Sequence, residues 1–226
     1  MKPKNRYLGR AKISEAKTRE VAGLFSQDLT ARQIADLSGL NRNTVNRLLT
    51  HIRTVLAAHC EAQSPFSGEV ELDESYFGAR RVRGVRGRGA KGKIIVFGIL
   101  KRNGKVYTEI VPDVSRRTLQ QIAGQRVSPD STVYTDRFRV YDSLVDVGYK
   151  KHYRISHGDN EFVRGPSHIN GIENFWGIAK VRLAKYRGMS NATFYLHLKE
   201  TEFRYNYRDE DVYKKVLELL RKEAGS

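Results

Sequence analysis

The stretch Lys93-Ile94-Ile95-Val96-Phe97-Gly98-Ile99-Leu100-Lys101-Arg102-Asn103-Gly104-Lys105-Val106-Tyr107-Thr108-Glu109-Ile110-Val111 decides the fold class. Two apolar, β-branched runs of strand length flank an Asn-Gly pair, the dipeptide that most readily supplies the positive φ of a tight hairpin turn.

Upstream lies a third strand pattern, Glu69-Val70-Glu71-Leu72-Asp73-Glu74-Ser75-Tyr76-Phe77-Gly78, which completes an antiparallel meander with the hairpin. Downstream the period changes. A helical stretch from Ser115 to Arg126 is followed by the strand Thr132-Val133-Tyr134-Thr135, a second helix around Tyr141 to Val145, and a strand from His152 to Ser156. From Ser167 onward the pattern is helical. Strands separated by helices require right-handed parallel crossovers. A three-strand meander followed by helix, strand, helix, strand and helix predicts an α/β fold: a ribonuclease H-like mixed sheet with flanking helices.

Residues 14 to about 58 read differently, as helices only. Ala16, Val21, Leu24 and Phe25 form a first amphipathic segment, and Thr30 with Gln33 has the spacing of a capping box that opens a second. Ile34, Ala35 and Leu37 are expected to face inward, and Gly39 to end that helix. Asn41 can cap a third, which carries Val45, Leu48, Leu49 and Ile52 at helical spacing. Helix, glycine turn, helix is the order of a helix-turn-helix, whose second helix would present Arg42, Asn43, Asn46 and Arg47 to base edges and phosphates of DNA. The alternative is a plain three-helix bundle with a solvated polar face. Ala62-Gln63-Ser64-Pro65-Phe66-Ser67-Gly68 has the composition of a linker. The expected division is therefore a small all-α module over residues 1–62 and a sheet-containing domain over residues 63–226 that includes the C-terminal helices.

Lys and Arg outnumber Asp and Glu by 41 to 25, giving a formal charge of +16 and a pI near 10.0. That excess favours a polyanionic partner such as DNA. A glycine-interspersed run, Arg80, Arg81, Arg83, Arg86, Arg88, Lys91 and Lys93, holds part of it and reads either as a phosphate-contacting loop or as a solvated one. The single cysteine, Cys60, excludes an intramolecular disulfide framework and a cysteine-rich zinc ribbon. No apolar run reaches membrane-spanning length and no signal peptide is recognisable, so no membrane partner is expected, and the expected setting is cytoplasmic and nucleoid-associated.

Two-metal phosphoryl transfer on DNA needs carboxylates that converge from separate chain segments. Strand alternation puts Glu71, Asp73 and Ser75 on one face of the first strand and Val70, Leu72 and Tyr76 on the other, so Glu74 points away from Asp73. Asp136 directly follows the strand Thr132 to Thr135, at its carboxyl edge. Taken alone it reads as a helix N-cap. The third acid, Glu173, lies on a helix whose buried stripe is Ile172, Phe175, Trp176, Ala179 and Leu183. Glu173, Gly177, Lys180 and Ala184 form an adjacent stripe on which only small residues separate the acid from the lysine.

Asp73-Glu74-Ser75-Tyr76-Phe77-Gly78, Tyr134-Thr135-Asp136 and His168-Ile169-Asn170-Gly171-Ile172-Glu173-Asn174-Phe175-Trp176 with Lys180 closely resemble the bacterial DDE insertion-sequence transposases. The resemblance spans roughly residues 68 to 208, ending on a closing pattern around Glu202-Phe203-Arg204-Tyr205-Asn206-Tyr207-Arg208. It implies that Asp73, Asp136 and Glu173 hold Mg²⁺ or Mn²⁺, that Lys180 contacts DNA near the scissile phosphate, and that His168 and Asn170 contact the strand or support the metal ligands. Arg83, Arg86 and Arg88 would join the DNA contacts. The implied activity is metal-dependent cleavage at transposon ends followed by strand transfer into target DNA, by a homo-oligomer that is a dimer or larger. No Arg-His-Arg-Tyr constellation marks a tyrosine as a recombinase nucleophile. Two departures from the family stand out: no cysteines for an N-terminal zinc segment, and Arg137-Phe138 directly after Asp136. Rival readings are a DNA-binding regulator with an inactive ribonuclease H-like domain and a related structure-specific nuclease.

Overall fold

The structure, a computed structural model, describes residues 5–9, 12–63, 66–78, 93–136, 148–149, 151–155, 169–186 and 189–225. In chain order the elements are α1 (Glu15–Ser26), α2 (Ala31–Ser38), α3 (Arg42–Glu61), β1 (Glu69–Phe77), β2 (Ile94–Lys101), β3 (Val106–Val111), α4 (Arg116–Arg126), β4 (Thr132–Asp136), β5 (Lys151–Ile155), α5 (Asn170–Leu183), α6 (Asn191–Asn206) and α7 (Val212–Gly225). They form two compact units, one of residues 1–62 with 199–226 and one of residues 63–198.

In the helical unit the expected caps are present. Thr30 accepts the Gln33 backbone N–H while the Gln33 side chain accepts that of Thr30, so two amides at the start of α2 are satisfied reciprocally. Gly39 ends α2 in the left-handed conformation, and Asn41 accepts the Asn43 N–H at the start of α3. One inward assignment is corrected. Leu37 is 63% exposed, because the buried face of α2 is centred on Ile34 and Ser38, four residues apart, and Leu37 lies to one side of it. In the amphipathic segment of α1, Val21 and Phe25 are buried with Thr18 and Ala22, while Ala16 is exposed.

The expected grouping of the C-terminal helices with the sheet is also corrected for residues 199–226. Phe203, Tyr207, Val216, Leu219 and Leu220 share one apolar core with Val21, Phe25, Ile34, Leu49, Ile52 and Leu56. Buried ion pairs accompany it. Arg53 bonds Glu200 at 2.7 Å, Glu200 bonds Arg204 at 2.9 Å, and Lys199 bridges Glu61 at 2.8 Å and Glu202 at 3.1 Å. The Glu202–Arg208 pattern therefore builds the helical core. Periodicity along α6 and α7 reports that they are amphipathic, but not which partner covers them.

The second unit is a five-stranded sheet of order β3-β2-β1-β4-β5. The first three strands pair antiparallel, while β4 is parallel to β1 and β5 parallel to β4. This is the ribonuclease H-like order expected. The hairpin closes with Asn103 at φ 54° and a Gly104 N–H to Lys101 carbonyl bond of 2.9 Å. One face buries Val70, Leu72, Phe97, Ile99 and Val133 with Leu119, Ile122 and Ala123 of α4. The other receives α5. The helix expected around Tyr141 to Val145 lies outside the described residues.

Because α7 contributes to the helical core, Leu220→Ala is expected to cost about 2–4 kcal/mol in that unit. Hydrogen exchange should show faster exchange of α1–α3 amides with β1–β3 protection unchanged; selective deprotection of the sheet would contradict the grouping.

Candidate active site

β1 lies at the centre of the sheet, and its alternation sorts the acids. Glu71, Ser75 and Phe77 are buried on the face that takes α5, together with the half-buried Asp73. Val70 and Leu72 face α4. Tyr76 has the parity of Val70 and Leu72 but is 36% exposed at the strand end.

Asp136 is the last residue of β4 rather than the residue after it. Glu69, Val70 and Glu71 are level with Thr132, Val133 and Tyr134. Asp73 and Asp136 follow two residues beyond the last of these pairs, on the same face of the two neighbouring strands, and lie close enough for the charge of Asp136 to act on Asp73. The electrostatics agree. Burial, together with the charges of Glu74 and Asp136, pushes the Asp73 carboxyl up to about 7 from its ordinary 3.8, against the lowering effects of the Glu74 backbone N–H and the Trp176 indole.

α5 brings the third segment to this face. Asp73 is level with Gly98 on β2, and a Cβ at Gly98 would lie 2.5 Å from the Trp176 ring. The indole fills that space, stands edge-on to Phe77 at 6.0 Å, and donates from Nε1 to Asp73 Oδ2 at 3.0 Å. One turn earlier the Ile172 N–H donates to Glu71 Oε2 at 2.9 Å. Glu71 Oε1 accepts from Arg102 Nε at 3.0 Å, and the Arg102 guanidinium lies 3.6 Å from the centre of the Tyr134 ring.

All five residues of the expected buried stripe, Ile172, Phe175, Trp176, Ala179 and Leu183, are buried. Glu173, Gly177, Lys180 and Ala184 are all exposed, and a Cβ at Gly177 would meet nothing within 4 Å. The face shared by the acid and the lysine is thus open. Asn170, the first residue of α5, is exposed. Among the described residues no three His, Cys, Asp or Glu side chains gather closely enough to hold one ion. The structure therefore puts Asp73 and Asp136 on neighbouring strands within reach of mutual repulsion, and Glu173 in the first turn of the helix docked on Asp73's face. His168, Arg83, Arg86 and Arg88 lie outside the described residues. In the helical unit Arg42, Asn43, Asn46 and Arg47 are exposed on the first two turns of α3.

Sequence reading assigned no role to Glu71, Arg102 or Gly98, and it placed Trp176 only in the apolar stripe. One signal was available for Gly98: a glycine inside an apolar strand marks a close approach by another group.

The family model of the ISXO2-like transposase domain matches residues 65–206. An uncharacterized transposase-like protein of Haemophilus influenzae is 49% identical over 102 residues, covering 45% of this chain and 81% of its own length. An uncharacterized protein in the transposable element ISH50 of Halobacterium salinarum is 32% identical over 154 residues, covering 61% of this chain and 52% of its own. Among solved structures, the Mos1 transposase paired-end complex with left transposon end aligns over 100% of this chain and 79% of that chain, at 13% identity and a TM-score of 0.40. The Mos1 strand transfer complex aligns at 14% identity and a TM-score of 0.41, covering 100% of this chain and 78% of that one.

The raised Asp73 carboxyl predicts a pH-dependent cost. Below pH 3.8 the group is protonated whether the chain is folded or not, and no penalty arises. As pH climbs toward 7 the unfolded chain sheds the proton that the folded chain retains, so folding is penalised, at most by roughly 4 kcal/mol above pH 7. Asp73→Asn, which keeps an acceptor for Trp176, should raise the melting temperature at pH 8 in EDTA and lose that advantage near pH 4. A gain independent of pH would contradict the assignment.

Proposed function

Because the chain belongs to the ISXO2-like transposase domain family, we propose that it is an active transposase that cleaves DNA at transposon ends and transfers the freed strand into target DNA. The observation carrying this reading is that Asp73 and Asp136 stand on neighbouring parallel strands close enough to repel, with the Glu173 helix bonded to Asp73 through Trp176.

The donor chemistry fits divalent magnesium or manganese. Asp73, Asp136 and Glu173 offer only carboxylate oxygens, the ligands such hard cations prefer. Burial, with the added charges of Glu74 and Asp136, favours a proton on Asp73, and a bound cation would offset both effects. Bound there, the ions supply charge neutralisation at the scissile phosphate and activation of the attacking oxygen. The protein's own part is orientation and charge. Asp73 would hold the ion as a carboxylate and so would give up its proton, which would make ion binding pH-dependent. The Trp176 N–H holds one Asp73 oxygen and so restricts the direction of the other. Lys180, two turns beyond Glu173 on the open stripe, would pair with a backbone phosphate, and Gly177 between them lets the DNA backbone approach. Asn170 at the helix start would contact the same strand.

Arg42, Asn43, Asn46 and Arg47 would read the ends from the major groove. Joining two ends calls for at least two copies of the chain. No described helix is long and apolar enough to cross a membrane.

Asp73→Asn, Asp136→Asn and Glu173→Gln should each reduce Mg²⁺-dependent cleavage and strand transfer at least 10³-fold while end binding persists; Glu74→Gln should retain most activity. Strand-transfer products on a plasmid target separate a transposase from a nuclease or a regulator. Substantial transfer by any of the three variants would overturn the assignment. Arg42→Ala and Arg47→Ala should each lower the salt slope of log K by about 0.9 per lost phosphate contact. Unchanged slopes would remove both residues from phosphate contact.

A further inference from the structure

Glu71 is a buried acid two residues before Asp73 on the same strand face, and both of its oxygens are engaged. Oε1 is held by Arg102 at 3.0 Å and Oε2 accepts the Ile172 N–H at 2.9 Å. An acid committed in this way has another use than ion binding. α5 begins at Asn170, and its N-cap residue, Ile169, makes no side-chain capping bond. The amide that Glu71 accepts belongs to the third helical residue, one of the donors a helix start leaves open. Glu71 therefore caps α5 from a neighbouring strand, and its charge lies at the positive end of the helix dipole.

The approach depends on Gly171, where a Cβ would lie 2.9 Å from Glu71 Oε2. The capping bond joins the residue before Glu173 to the residue two before Asp73. The second bond, Trp176 Nε1 to Asp73, lies three residues after Glu173. Glu173 is thus straddled by two hydrogen bonds to β1, one at the backbone and one at the indole, which together set the position and the rotation of its turn against Asp73.

We infer that Glu71, clamped by Arg102, is a positioning residue that caps α5 across the sheet and fixes Glu173 relative to Asp73. The inference rests on the reading of Asp73 and Glu173 as ion ligands. Losing such an outer partner of a metal site reduces ion affinity by about 10–100-fold.

Trp176 is the only tryptophan of the chain and touches Asp73, so its emission reports on the site directly. The full chain would be titrated with Mn²⁺ alone, without DNA, and paramagnetic quenching of Trp176 emission followed beside the EDTA baseline and the melting temperature. Wild type should quench saturably, and Asp73→Asn and Glu173→Gln should weaken it. Glu71→Ala should shift the midpoint by about 10–100-fold and change the EDTA emission. Glu71→Gln, which keeps an acceptor for the Ile172 N–H, should recover most of the affinity. Gly171→Ala, which pushes the same contact apart while leaving Glu71 in place, should reproduce the shift and serves if Glu71→Ala fails to fold. A normal midpoint in a folded Glu71→Ala or in Gly171→Ala, with Asp73→Asn and Glu173→Gln weakened, overturns the positioning role alone. Equal quenching in wild type, Asp73→Asn and Glu173→Gln overturns the ligand reading and the inference together.

Discussion

The space above one glycine governs the candidate site. Gly98 on β2 is level with Asp73, and a single added carbon there would collide with the indole of Trp176. With that space free, a large aromatic side chain packs against the middle of the sheet, buries its ring, and still brings its N–H to a carboxylate. A buried indole needs a partner for its N–H, and a half-buried carboxylate needs a donor. Each meets the other's requirement, so the packing of α5 and the orientation of Asp73 are a single constraint.

Around that contact the acids of β1 divide into distinct environments although they lie within six residues. Glu69 and Glu71 are held by Arg102 and, for Glu69, by the Tyr134 hydroxyl. Asp73 is left with the indole, beside Asp136 and Glu74, and retains a proton toward neutrality. Strand parity and strand order produce this division, since residues two apart share a face and β4, which carries Asp136, lies beside β1. A site that concentrates negative charge where it is costly is a common signature of function, and it is the physical ground on which divalent-ion chemistry is proposed here.

The helical unit is organised by a different rule. Its core combines apolar residues of α1–α3 with those of α7 and the end of α6, and its buried charges are paired: Arg53 with Glu200, Glu200 with Arg204, Lys199 with Glu61 and Glu202. Removing one member of such a pair leaves a buried uncompensated charge and costs about 3–5 kcal/mol, whereas the pair itself contributes little net stability. These contacts specify which helices belong together. They also explain why a closing pattern rich in charges, Glu202 to Arg208, is compatible with burial.

Much of the protein was determined locally and could be read along the chain. The capping box at Thr30, the turn at Asn103 and Gly104, the alternation of β1 and the apolar stripe of α5 each depend on residues within a few positions of one another, and each has its expected geometry. Sheet order followed from the same signals, because a hairpin leaves few placements for its neighbours. Tertiary structure alone decided four things: that α7 belongs with α1–α3, that Leu37 faces outward, that Asp136 comes near Asp73, and that Glu71 and Trp176 tie α5 to β1. Each is a choice of partner. Periodicity says that a face is apolar or that an acid lies on it, but the groups that meet that face lie far away along the chain, 101 residues for Glu71 and Ile172 and 147 for Arg53 and Glu200, and are selected by how surfaces fit and how buried polar groups are satisfied.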